Sequence, residues 1–207
     1  MSNTISFVQE QGIATLSFDN PARRNALGAT ELAAIDTALD ALEPATRVLV
    51  ITSSDDRIFC AGADLSQILD GVISGDRFQS VTNRIAGLPI PTIAVLTGNV
   101  FGGGAELALS CDFRIGRAGM ILRIPAAAIG LCYPVEGIER LTRRLGPNLC
   151  KRLLVAAETF SSEQLLAHQL LDSVHSADEV RAAAQAYAET LLKLAPLSGS
   201  TMLDLIR

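Results

Sequence analysis

The chain contains no tryptophan, and aromatic residues make up only 4% of it. It also has no basic block interleaved with aromatic side chains, the surface that phosphates and bases require, so nucleic acid is not an expected partner. Charge of either sign is modest, with 17 basic against 22 acidic residues. The two histidines, His168 and His175, lie in the C-terminal part and read as structural. The four cysteines, Cys60, Cys111, Cys132 and Cys150, stand singly, with no C-x-x-C spacing and no histidine nearby. They read as reduced, buried thiols of a cytosolic protein. No set of His, Cys and acidic residues has metal-ligand spacing, so no metal is expected. Ser-His-Asp chemistry lacks its nucleophile elbow. The long apolar stretch Ile90–Leu109 is broken by Pro91, a glycine cluster and Glu106, so it does not read as a membrane span. Met1-Ser2-Asn3-Thr4 lacks a basic start followed by an apolar run, and no signal peptide is expected.

What is present is a chain of 207 residues, 49% hydrophobic, rich in Ala and Leu. That is one domain, or one with a helical appendage, with enough chain for a substantial core. Ile5–Val8 and Ile13–Phe18 alternate around Gln11-Gly12 and predict a hairpin. A helix is expected from Thr30 to Leu42 and strands at Val48–Thr52, Thr92–Leu96 and Phe113–Gly116. Leu65–Leu88 has a helical pattern interrupted near Gly71 and Gly75. A helix follows at Ala105–Cys111, and after Pro134 the chain reads as helices: Glu136–Leu145, Leu149–Ala157, Ser162–Leu170 and Glu179–Leu194. The class is α/β.

Two short segments carry the chemistry: Phe59-Cys60-Ala61-Gly62-Ala63-Asp64-Leu65 and Gly98-Asn99-Val100-Phe101-Gly102-Gly103-Gly104-Ala105-Glu106-Leu107. Each follows an apolar run, turns on small residues and opens a helix. Side by side, two such turns aim backbone N–H groups at one point, which is how an oxyanion hole is built. Glu106 brings a carboxylate within one helical turn of that point, amid apolar neighbours where desolvation raises a pKa. The alternative reading of Glu106 is a first-turn charge favoured by the helix dipole. Donors for a developing negative oxygen beside an acid/base equip a site for enolate chemistry.

These segments resemble the two signature loops of the enoyl-CoA hydratase/isomerase (crotonase) family. Asn20-Pro21-Ala22-Arg23-Arg24-Asn25-Ala26-Leu27 is similar to its first CoA-contacting loop. Pro89-Ile90-Pro91-Thr92-Ile93-Ala94-Val95, Cys111-Asp112 and the run from Gly130 to Gly146 are similar to later parts, in the family's order. The resemblance implies a crotonase-like spiral of repeated β-β-α units over residues 1–140. A helical C-terminal region, 141–207, would belong to the same functional unit. Family members usually continue past this point with helices that cover the acyl pocket, so the region is expected to be shortened.

The resemblance assigns the oxyanion donors to the N–H groups of Ala63 and Gly103 and a catalytic carboxylate to Glu106. It places Ala22, Arg23 and Arg24 against CoA, and Ala61, Gly62, Asp64, Leu65 and Gly102 around the substrate. Asp64 also reads as a cap for its own turn. The family's second glutamate follows a proline in a Pro-Glu-x-x-x-Gly run, which here is Pro125-Ala126-Ala127-Ala128-Ile129-Gly130. Alanine neither holds a water nor delivers a proton. Glu136, in Tyr133-Pro134-Val135-Glu136-Gly137, is the candidate replacement, at a spacing from Gly130 two residues longer than in some isomerases. It is equally a plain first-turn residue. Tyr133 either orients a substrate carboxylate or fills the pocket wall.

The resulting expectation is a cytoplasmic enzyme of acyl-CoA metabolism that adds water reversibly to a 2-enoyl-CoA. A double-bond isomerase working with one carboxylate is the first alternative, and a catalytically weak acyl-CoA-binding protein is the second. Coenzyme A is part of the substrate, so no separate cofactor is expected. The resemblance implies a homotrimer or a dimer of trimers, with no membrane partner.

Overall fold

Gln11 and Gly12 both adopt positive φ, 51° and 83°, the turn whose twist matches that of a tight hairpin. They join β1 (Ile5–Glu10) to β2 (Ile13–Phe18) in antiparallel register, Ile5 opposite Phe18. In the computed structural model, which describes residues 4–206, ten further strands follow. They are β3 (Ala26–Leu27), β4 (Val48–Ser53), β5 (Ile58–Cys60), β6 (Gly62–Ala63), β7 (Thr92–Leu96), β8 (Asn99–Phe101), β9 (Phe113–Arg117), β10 (Ile121–Arg123), β11 (Thr159–Ser161) and β12 (Ser173–His175). The helices are α1 (Ala29–Asp40), α2 (Leu65–Leu69), α3 (Gly75–Ala86), α4 (Gly103–Ser110), α5 (Val135–Cys150), α6 (Ser162–Ala167), α7 (Val180–Leu192) and α8 (Pro196–Ile206).

The larger sheet runs β1-β2-β4-β7-β9-β12, and every pairing after the hairpin is parallel. Its central strands β4 and β7 are largely apolar and buried because both faces are covered. Leu49 and Ile51 of β4 join Leu16, Ala94 and Leu96 in the main core, while Val48 and Val50 turn the other way. There they meet Ile93, Val95 and a stripe on α7 made by Val180, Ala184 and Ala188. Those three recur every fourth residue, one face of a helix.

A second sheet, β11-β10-β8-β5, stacks the next strand of each repeat. β4 leads to β5, β7 to β8 and β9 to β10, each pair giving one strand to each sheet before a helical segment. This repetition is the spiral. The helix after the second pair, α4, is buried from Gly104 to Ser110, as an apolar surface all round requires. Outside it, α1 is tied to α3 by Arg77 and Arg84, each 2.5 Å from Asp36.

The stretch 141–207, expected to be helical, also supplies two strands. β11 pairs with β10, and β12 adds to the far edge of the larger sheet beside β9. Both have three residues, too few for a periodic pattern to mark them. The two helices expected around residue 146 meet at a break where Gly146 has φ 74° ahead of Pro147. A wide π-type turn, Lys151–Val155, follows. No helix among the described residues is long and apolar enough to cross a membrane.

Ile51 is 0% exposed and Val8 51% exposed. Ile51→Ala should lower the unfolding free energy in urea by about 2–5 kcal/mol. Val8→Ala should stay within about 0.5 kcal/mol of the parent. Equal losses at the two positions would contradict the assigned core.

Candidate active site

β5 and β8 are parallel neighbours, Cys60 opposite Val100, so their C-terminal ends open on the same edge. Each leads through a small-residue turn into a helix, α2 or α4. The turns lie against each other. A Cβ placed on Gly62 would stand 2.4 Å from the Gly103 nitrogen, and one on Gly104 would stand 2.5 Å from the Cys60 carbonyl oxygen. Gly62 also has φ 90°, a backbone state that L side chains rarely adopt. Gly103 is crowded from outside, with the Phe78 ring 2.6 Å from where its Cβ would be.

Ala61, Ala63, Gly102 and Gly103 line a cavity of about 230 Å³ together with Glu106, Ala126 and Tyr133. Its remaining wall is mostly apolar, including Leu65, Ile68, Phe78, Ile129 and Leu131. Among the described residues that line it, Glu106 is the one carboxylate. Among the described residues no group of His, Cys, Asp and Glu is arranged to hold a metal ion.

Glu106 is 2% exposed. Burial pushes its pKa above the ordinary glutamate range, against the opposing pull of Arg140 and of hydrogen bonds from Thr82 and Gln79. Arg140 Nη1 stands 3.6 Å from Glu106 Oε1, and Thr82 Oγ1 is 3.2 Å from the same oxygen. The guanidinium is held in turn by Thr82 Oγ1, Ser110 Oγ and Asn83 Oδ1. Sequence reading gave Gln79, Thr82, Asn83 and Arg140 no role. The available signal was Gln79 and Thr82 on the same face of α3 as Phe78, Val81 and Ile85, all buried. Polar side chains on a core-facing stripe need partners.

Glu136 stands apart from that carboxylate. It is exposed at the start of α5, lines a neighbouring groove and accepts a hydrogen bond from Asn83 Nδ2 at 2.6 Å. Tyr133 lines both the groove and the cavity. Ala22, Arg23 and Arg24 are exposed on a loop whose end is fastened to the first turn, with Ala61 N–H donating to the Arg24 carbonyl at 3.0 Å. Arg23 Nη2 lies 2.6 Å from Asp64 Oδ2. Asp64 caps α2, accepting from the Ser66 and Gln67 N–H groups. Its pKa is lowered chiefly by the Ser66 hydroxyl, then by the Gln67 N–H and Arg23, against a rise from burial. Buried Asn25, also without a role in the sequence reading, pins the loop by donating to Ser53 Oγ and the Phe59 carbonyl.

One cysteine departs from expectation. Cys60, Cys111 and Cys150 are buried, but Cys132 is exposed on the irregular loop at the cavity wall. Burial pushes the Cys60 and Cys111 thiols up to about 12.

The enoyl-CoA hydratase/isomerase family model matches residues 8–205. The chain belongs to that family. Bovine enoyl-CoA hydratase domain-containing protein 2, a mitochondrial protein, is 35% identical over 91% of this chain and 67% of its own length. A crotonyl-CoA hydratase from Syntrophomonas wolfei is 32% identical over 83% of this chain and 69% of its own. The crystal structure of an enoyl-CoA hydratase from Bacillus anthracis superposes with a TM-score of 0.93 at 24% identity, covering 99% of this chain and 82% of that one. This likeness shows the crotonase fold.

The raised pKa of Glu106 sets the sign of a stability effect. The unfolded chain releases this proton near the ordinary value of 4.5, and the folded protein only at higher pH. Ionisation therefore costs folding free energy increasingly as pH rises through that interval, and the cost is absent below it. Glu106→Gln should gain stability relative to wild type as pH rises from about 4 to 7, measured by urea unfolding. A gain by wild type over the same range would show that Arg140 outweighs burial.

Proposed function

We propose that the protein catalyses reversible addition of water to a 2-enoyl-CoA. The observation that carries this reading is one cavity shared by the backbone at Ala63 and Gly103 and the carboxylate of Glu106. In the proposed cycle the thioester oxygen sits at those two N–H groups. Glu106 takes a proton from water as hydroxide adds to C3, and the negative charge moves to the thioester oxygen. The same proton then passes from Glu106 to C2. Two donors aimed at the developing oxyanion stabilise it most in a dry site, and the apolar wall suits that. Arg23 and Arg24, exposed beside the first turn, are assigned to the phosphates of CoA. The relatives' names support the hydratase reading.

Double-bond isomerisation is the second reading. Its support is Ala126, 8% exposed in the cavity wall where a second carboxylate would be needed. A single carboxylate suffices to move a proton from one carbon to another. A homotrimer, or a dimer of trimers, is the proposed assembly, supported by the apolar surface that α8 exposes at Leu197, Met202, Leu205 and Ile206.

Mass spectrometry of products from a panel of 2- and 3-enoyl-CoA thioesters separates the readings: water gained, double bond moved, or substrate bound unchanged. Glu106→Gln should bind substrate and lose about a hundredfold or more in turnover. Gly103→Val, whose side chain must displace Phe78, should abolish turnover. Full turnover by either folded variant would remove that residue from the mechanism.

A further inference from the structure

Tyr133 carries one of the few buried side-chain polar atoms, among the described residues, that has no hydrogen-bond partner. Its hydroxyl is almost wholly covered, and the side chain lines the same cavity as Glu106 and Ala126. A buried donor left unpaired is destabilising, so a phenylalanine would suit a wall that only fills space. The loop carrying Tyr133 runs between the single helical turn Ala126–Ile129 and α5. Burial above all, and then the charge of Glu106, raises the phenol well above its ordinary pKa of 10.0. The group therefore stays protonated and remains a donor.

Resting on the hydratase reading, we propose that the Tyr133 hydroxyl holds the attacking water against Glu106, in place of the carboxylate missing at Ala126. The hydroxyl donates to a lone pair of the water oxygen, and Glu106 accepts one of the water's protons. As the C3–O bond forms, the π pair of C2=C3 moves to the thioester enolate and that proton goes to Glu106. The enolate then takes it at C2. Tyr133 keeps its own proton throughout, so no second base is required.

The test is Tyr133→Phe, which keeps the ring and deletes the hydroxyl, with the fold checked by circular dichroism. Two rates are measured: hydration of a short 2-enoyl-CoA, and exchange of the C2 proton of the saturated acyl-CoA in heavy water. Hydration should fall about tenfold or more, while exchange, which needs Glu106 and no attacking water, stays within about twofold of wild type. Tyr133→Phe combined with Ala126→Glu should recover hydration by restoring a group that holds water. Unchanged hydration in Tyr133→Phe overturns the role of Tyr133 and leaves the hydratase reading standing. An equal fall in both rates assigns Tyr133 to packing and overturns it too. Exchange without hydration by wild type overturns the hydratase reading itself, and the water site with it.

Discussion

The contact between the two glycine turns governs how the rest of the site is arranged. The Gly62 Cα and the Gly103 nitrogen come so close that no side chain fits between them, and Gly104 meets the Cys60 carbonyl just as tightly. Such an approach follows from pairing β5 with β8 in parallel, because both strands then end on one edge. A helix begins just beyond each end, and the first residues of both, Leu65 and Gly103, line one cavity. Phe78 closes that space from α3, and the same helix presents Thr82 to Glu106. Backbone contact therefore fixes the site before any catalytic side chain is placed.

Glu106 occupies a less comfortable position. A carboxylate on the first turn of α4 gains from the helix dipole, but it is enclosed by an otherwise apolar helix. Arg140 at 3.6 Å offsets part of the desolvation without making a close ion pair. Gly137 admits this arrangement, since a Cβ there would stand 3.0 Å from Glu106 Oε1 and 2.9 Å from Gln79 Oε1. The outcome is a carboxylate whose proton is held more tightly than in water.

Much of this was legible in the chain. The hairpin, the long buried strands and the two signature turns are local patterns, and the positions around Ala63, Gly103 and Glu106 do line one cavity. Short strands were not legible: β5, β8 and β10 have three residues each and owe their existence to stacking with one another. The charge partner of Glu106 lies far along the chain, and nothing in the local sequence of Arg140 shows which carboxylate it meets. Asn25 is similar. Its buried bonds to Ser53 and Phe59 join segments that only the spiral brings together. Long-range polar partners are set by topology, and topology is what periodicity does not encode.

Charge balance gives a reason for alanine at position 126. Two carboxylates in one small apolar cavity raise each other's pKa, and one of them is driven neutral. Arg140 is the cation beside Glu106, and it is spread over Thr82, Ser110 and Asn83 as well. A second buried carboxylate would need its own compensation, and Glu136 has its carboxylate outside, bonded to Asn83. A phenol held well above its ordinary pKa of 10.0 is neutral at neutral pH, so it adds a polar group to the cavity without adding charge. Ala126 then contributes room, Tyr133 contributes an unpaired hydroxyl, and among the described residues lining the cavity the ionisation stays that of one carboxylate.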